Sequence, residues 1–220
     1  TIIAAAQAQF DALGISLRPH IKTHKLVRFA KKQIAAGAIG ITCQKTTEAA
    51  PFVDAGCKDV LITYNIIGET KLARLRDLAA RANITVAADS EFVVGGLSRA
   101  FAIETKPLRV LVECDTGLNR CGVQTPQAAA ELAGSIARSK GLVFGGLMTY
   151  PPPDSHRAVE AFMSEAKQRC IAAAGRCDTI SSGGTPSMKS VPATSVITEY
   201  RPGTYIYNDR SLVNRGACTI

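Results

Sequence analysis

Lys22 stands in the segment Leu17-Arg18-Pro19-His20-Ile21-Lys22-Thr23-His24-Lys25, at the end of a short apolar run that reads as a strand. A lysine held where a strand meets a loop is placed for amine chemistry. Its ε-amine can form a Schiff base with a carbonyl group when its surroundings lower its pKa toward neutrality. Spacing alone does not activate an amine, and a basic surface turn would carry the same residues. His20 and His24 flank this lysine, where a histidine either orients a neighbouring group or bonds to backbone. Two further stretches suit a phosphate. Ser182-Gly183-Gly184-Thr185 offers unobstructed backbone amides and two hydroxyls, and Gly203-Thr204 repeats the logic with a glycine followed by a donating amide. A Ser-Gly-Gly turn is also ordinary punctuation between elements. Arg120 follows the acidic, glycine-bearing turn 113–117, so its guanidinium meets either an anion or an ion-pair partner, Asp115 or Glu113.

These residues need a scaffold, and the chain alternates short apolar runs with longer amphipathic ones. The runs at 15–18, 39–42, 60–63, 84–87, 108–114, 142–148, 177–181 and 197–207 read as strands. Helical patterns cover 25–36, 46–55, 69–81, 90–101, 125–139 and 156–174, with a shorter one near 186–190. Asp89-Ser90 before Glu91 and Thr125-Pro126 are helix-start signals. Eight strands spaced by helices imply parallel pairing, and eight closes a (β/α)8 barrel; the fold class is α/β, a parallel TIM-type barrel. Such barrels gather their chemistry at the C-terminal ends of the strands. Lys22 follows strand one, Arg120 strand five, Tyr150 strand six and Ser182 to Thr185 strand seven, while 201–205 falls on strand eight. All are expected on one face.

The composition is that of a globular chain: 220 residues, 46% hydrophobic and 20% charged. No stretch approaches the roughly 20 apolar residues a membrane span needs, and the first ten residues lack the layout of a secretory signal. The net charge of +8 is scattered along helical faces, and aromatic residues, at 5%, do not interleave with it, which argues against a nucleic-acid platform. Seven cysteines without Cys-x-x-Cys spacing fit reduced thiols, hence a cytoplasmic protein, and three histidines are too few for a self-contained histidine metal site.

Four segments, 17–25, 113–123, 181–187 and 199–205, resemble in the same order those of the D-threonine aldolase and D-serine dehydratase-like family. These are pyridoxal 5'-phosphate (PLP) enzymes on the alanine-racemase-type barrel. The resemblance implies a lyase acting on β-hydroxy D-amino acids through a Schiff base at Lys22, with aldolase and dehydratase both open. An amino-acid racemase of the same fold and a non-catalytic, single-barrel PLP-binding protein are the alternatives. By resemblance Arg120 faces the pyridoxal 3-oxygen, Arg201 lies near the pyridine nitrogen, and Gln44, more than Glu48, bonds near the ring. Tyr150 sits beside the ring, and His156 takes the place of a histidine near the substrate hydroxyl. Pro151-Pro152-Pro153-Asp154 departs from the family here, so His156 has a second reading, as an exposed residue opening a helix. Ser182, Gly183, Gly184, Thr185, Gly203, Thr204 and Tyr205 are implied to cradle the phosphate. The family also carries a divalent metal, manganese-like or zinc, on a C-terminal β-domain. The reading of 1–220 is therefore the PLP-binding barrel without that domain, without the family's first strand and without metal ligands of its own. It is expected to bind cofactor with little turnover alone. A small D-amino acid is the implied partner, and a homodimer the implied full-length assembly.

Overall fold

Apolar runs too continuous for a one-sided sheet call for strands covered on both faces, and the computed structural model, which describes residues 1–216, 218 and 219, has them. Helix α1 (Ile2–Ala12) precedes β1 (Ser16–Leu17). There follow α2 (Val27–Ala35), β2 (Ile41–Cys43), α3 (Thr46–Asp54), β3 (Asp59–Ile62), α4 (Glu69–Arg81) and β4 (Asn83–Ala88). The second half holds α5 (Glu91–Phe101), β5 (Leu108–Cys114), α6 (Pro126–Arg138), β6 (Leu142–Thr149), α7 (His156–Ala174), β7 (Thr179–Ser182), β8 (Glu199–Tyr200) and α8 (Arg210–Asn214). All pairings are parallel, in the order β1-β8-β7-β6-β5-β4-β3-β2. The ring closes just past β1, where the Thr42 amide donates to the Pro19 carbonyl at 2.8 Å and His20 bridges to Thr42.

Strand alternation divides the molecule into two apolar layers. Along β5, Val110, Val112 and Cys114 belong to the large core under the helices, whereas Leu111 joins Leu61, Ala87 and Met148 inside the barrel. Phe10 of α1, wholly buried, stacks on the Tyr200 ring at 4.8 Å and clamps β1 and β8 beneath the helix. Burying such a side chain contributes about 1.5–3 kcal/mol. In β6 the pairing with β5 slips between Val110 and Leu111, and Gly146 there has φ +134°. A side chain on Gly146 would run into the backbone of Thr179, so the irregularity needs glycine.

Three expectations require correction. The eighth strand is not 197–207 but Glu199–Tyr200, because Pro202 lacks an N–H and the chain then coils into a 3-10 turn, Thr204–Ile206. Arg201, Gly203 and Thr204 therefore sit on the loop after β8. The helix expected over 25–36 begins at Val27, because a 3-10 turn, Ile21–Thr23, intervenes and Lys25 has φ +50°. The short helix near 186–190 is a 3-10 turn, Thr185–Ser190.

Candidate active site

The lysine segment is fixed by its own histidine. His20 has extended backbone, and its Nδ1 accepts the Lys22 amide at 3.3 Å, capping the Ile21–Thr23 turn. An Nδ1 that accepts must be unprotonated, and the imidazole is held well below the usual histidine range, first by burial and then by the charges of Lys22 and Arg201. Lys22 meets solvent along much of its length, yet its pKa is lowered, chiefly by desolvation and next by Arg120, with Glu48 opposing. It opens on a mouth that it shares with the cations Arg120 and Arg201.

That mouth is a cavity of about 200 Å³ at the C-terminal end of the barrel, and Lys22, Arg120, Tyr150, Gly183, Gly184, Thr185, Arg201, Gly203 and Thr204 all line it. Arg120 arrives on a loop shaped by Asp115, whose Oδ1 accepts the amides of Gly117 at 2.9 Å and Asn119 at 3.1 Å. With Asp115 so occupied, Arg120 pairs instead with buried Glu113 at 3.7 Å and lies over the Tyr150 ring, 4.8 Å from its centroid. Arg201 is buried, donating to Ser181 Oγ at 2.5 Å and to the Thr149 carbonyl at 2.6 Å. Burial draws its pKa down to about 10, so it stays charged at neutral pH.

The two glycine turns are tied together by one hydroxyl. Thr185 Oγ1 accepts the Gly203 amide at 3.2 Å and the Tyr205 amide at 3.0 Å. The Gly203 amide is thus already used within the fold, whereas the expectation placed the donor on the following amide, that of Thr204. With two N–H groups on its oxygen, Thr185 keeps its own proton to donate elsewhere. Gly183 has φ +94° and lies against the Tyr200 ring, whose hydroxyl donates to the Gly184 carbonyl at 3.0 Å. The Gly184 amide donates to no other group among the described residues. A Cβ there would come within 2.9 Å of the Tyr150 ring.

Four expected residues lie off this cavity. Tyr205 is 2% exposed, and its hydroxyl accepts from Gln33 Nε2 at 2.8 Å; Gln33 in turn meets His24 Nε2 at 3.3 Å. His24 and Tyr205 thereby link the lysine segment to the 203–205 turn from behind. Gln44 faces an outer cleft, its amide bonded to Glu48 at 2.6 Å. Ser182 and His156 line an adjoining cavity of about 220 Å³ across Tyr150. His156 is the first residue of α7 and bonds Ser190 Oγ at 3.0 Å. Thr63 and Met148, unremarked in the sequence, line the main cavity; the strand alternation that puts Leu61 and Met148 inside the barrel was the available signal.

An aldehyde-bearing aromatic phosphate such as PLP would find an amine at Lys22, cations at Arg120 and Arg201, and donors at Thr185 and the Gly184 amide. The residues present fit that group. Among the described residues no three His, Cys, Asp or Glu side chains converge as metal ligands, and no metal is assigned to them. Nor is any helix among them long and apolar enough to cross a membrane.

Comparison with known proteins bears on the same face. Residues 3–211 match the alanine racemase N-terminal domain. A D-threonine aldolase from Arthrobacter sp. is 37% identical over 218 residues, covering 94% of this chain and 58% of that protein. A D-threo-3-hydroxyaspartate dehydratase from Delftia sp. (strain HT23) is 31% identical, covering 98% and 60%. The crystal structure of a D-threonine aldolase from Filomicrobium marinum superposes with a TM-score of 0.85 at 32% identity, over 97% of this chain and 61% of that one. The chain thus spans about six tenths of the length of the relatives it matches.

Proposed function

The chain belongs to the family of alanine racemase N-terminal domains, and from that premise we propose that it is the cofactor-holding barrel of a PLP-dependent lyase acting on β-hydroxy D-amino acids. The observation that carries this is the convergence of Lys22, Arg120 and Arg201 on one cavity with both glycine turns. The aldolase and dehydratase relatives support the substrate class.

PLP bound there would supply an aldehyde for amines and a conjugated ring that takes up charge from Cα. The chain's own residues do the rest. A lowered pKa raises the share of neutral Lys22 amine able to bond the aldehyde and later to hold a proton at Nζ. His20 keeps that amine's backbone in place. Arg120 and Arg201 bind anionic groups, and the Thr185 hydroxyl and Gly184 amide donate to phosphate oxygens. The Tyr150 ring, stacked under Arg120, shields one wall from water.

The test adds D- or L-threonine to the PLP-loaded chain and follows the visible cofactor spectrum and released acetaldehyde. The proposal expects a spectral response to the D-isomer alone, with or without turnover. An equal response to both isomers, or racemisation of D-alanine without any cleavage, would move the chain to the racemases.

A further inference from the structure

Below the cavity floor a file of polar groups runs through the barrel interior. Arg201 donates to Ser181 Oγ at 2.5 Å, and Ser181 Oγ is in turn bonded to Glu199 Oε1. The other carboxylate oxygen accepts Arg18 Nε at 2.7 Å, and Arg18 Nη1 meets Asp59 at 2.5 Å. Ser181 and Glu199 are buried. The direction of this file is fixed by its ends: a guanidinium can only donate, so the Ser181 oxygen accepts from Arg201 and its one proton must go to the carboxylate. Both Glu199 oxygens thus accept, and basic and acidic side chains alternate along the file.

Arg201 therefore touches two neutral acceptors, the Ser181 hydroxyl and the Thr149 carbonyl, and no carboxylate among the described residues. Its orientation is fixed by two short bonds, while its charge is left for whatever anion occupies the cavity. Arg120, with Glu113 at 3.7 Å and its side chain 40% exposed, is held more loosely and is partly neutralised. We propose that Glu199 is a positioning residue for this site, acting through the Ser181 hydroxyl to orient Arg201 without pairing with it. This rests on the reading of the cavity as a PLP site. A serine interposed between the two charges is the essential part: with alanine there, Arg201 would lose one of its two anchors and no longer be held toward the cavity.

The test uses Ser181→Ala, Glu199→Gln and Ser181→Thr with two readouts. In the ligand-free protein, the 15N resonances of the Arg201 guanidinium report its rotation. Hindered rotation is expected in the unvaried chain and in S181T, and free rotation in S181A and E199Q. In the PLP-loaded protein at full occupancy, S181A is expected to shift the cofactor's absorption maximum and weaken its affinity about tenfold, with S181T restoring both. Lost thermal stability would accompany a merely structural role too, but an unchanged Arg201 rotation and absorption maximum in S181A and E199Q would overturn the proposal, as would S181T behaving like S181A. If the unvaried chain bound no PLP, the functional reading would fall, and the guanidinium resonances would still decide the positioning.

Discussion

Replacing Thr185 by valine removes one oxygen and should undo the joint between the two glycine turns. The side chain keeps its shape, so the change isolates the hydroxyl. Thr185 Oγ1 receives the Gly203 amide at 3.2 Å and the Tyr205 amide at 3.0 Å, and both bonds are buried. A buried donor left without a partner costs about 1–3 kcal/mol, so the pair would cost about 2–6 kcal/mol. The longer Gly203 bond places the expectation in the lower half, about 2–4 kcal/mol. That is a large share of the roughly 5–15 kcal/mol by which a domain is stable. Thr185→Ser keeps the acceptor and loses one methyl group, worth about 0.8 kcal/mol. Urea unfolding of the three proteins, compared at equal m-values, measures the difference, and inorganic phosphate titration measures the site. T185V should be markedly less stable than T185S and bind phosphate more weakly. Stabilities of T185V and T185S within about 0.5 kcal/mol of each other would refute the reasoning, because the amides would then have found other partners.

Gly183→Ala places a Cβ against the buried Tyr200 ring at φ +94°, and should cost about 2–5 kcal/mol from strain and overpacking together, read by chemical denaturation. Gln33→Leu strands His24 and Tyr205 behind the site and should cost about 2–4 kcal/mol; a loss below about 0.5 kcal/mol would show the relay to be incidental. His20 gives a pH dependence of defined sign. Its folded pKa is depressed, so the unfolded chain takes up the proton first, and the stability held by neutral His20 is complete above about 6.5. It erodes as the pH falls below that value, until the folded pKa is reached, with a slope of up to about 1.4 kcal/mol per pH unit. His20→Gln, which can still accept the Lys22 amide, should flatten the urea midpoint between pH 6.5 and lower values relative to the unvaried chain; parallel profiles would contradict the cap assignment.

The barrel was legible because strands buried on both faces leave unbroken apolar runs and amphipathic helices separate them. The helices over 69–81 and 156–174 end where their patterns end. The eighth strand was overextended because Tyr205 and Ile206 look like strand residues locally, and only Pro202 and the long-range claim of Gln33 on Tyr205 decide otherwise. Lys22 and Arg120 announced themselves by residue type and by position after a strand; Arg201, expected on strand eight, was singled out by the family resemblance. Gln33, Thr185 as an acceptor, and Glu199 did not. Their roles depend on partners from 9 to 181 positions away, which no local pattern encodes. Ser182 was expected at the phosphate. It lines the adjoining cavity, while Ser181 one residue earlier carries the bond to Arg201.

The central claim is that Lys22 is the amine around which this site is built. Load the chain with PLP, reduce with borohydride, digest, and map the modified peptide by mass. The account predicts a single pyridoxyl group on Lys22 and none after Lys22→Ala, with the fold unchanged by circular dichroism. Modification at Lys25, three residues on and outside the cavity lining, or at any other lysine would contradict it.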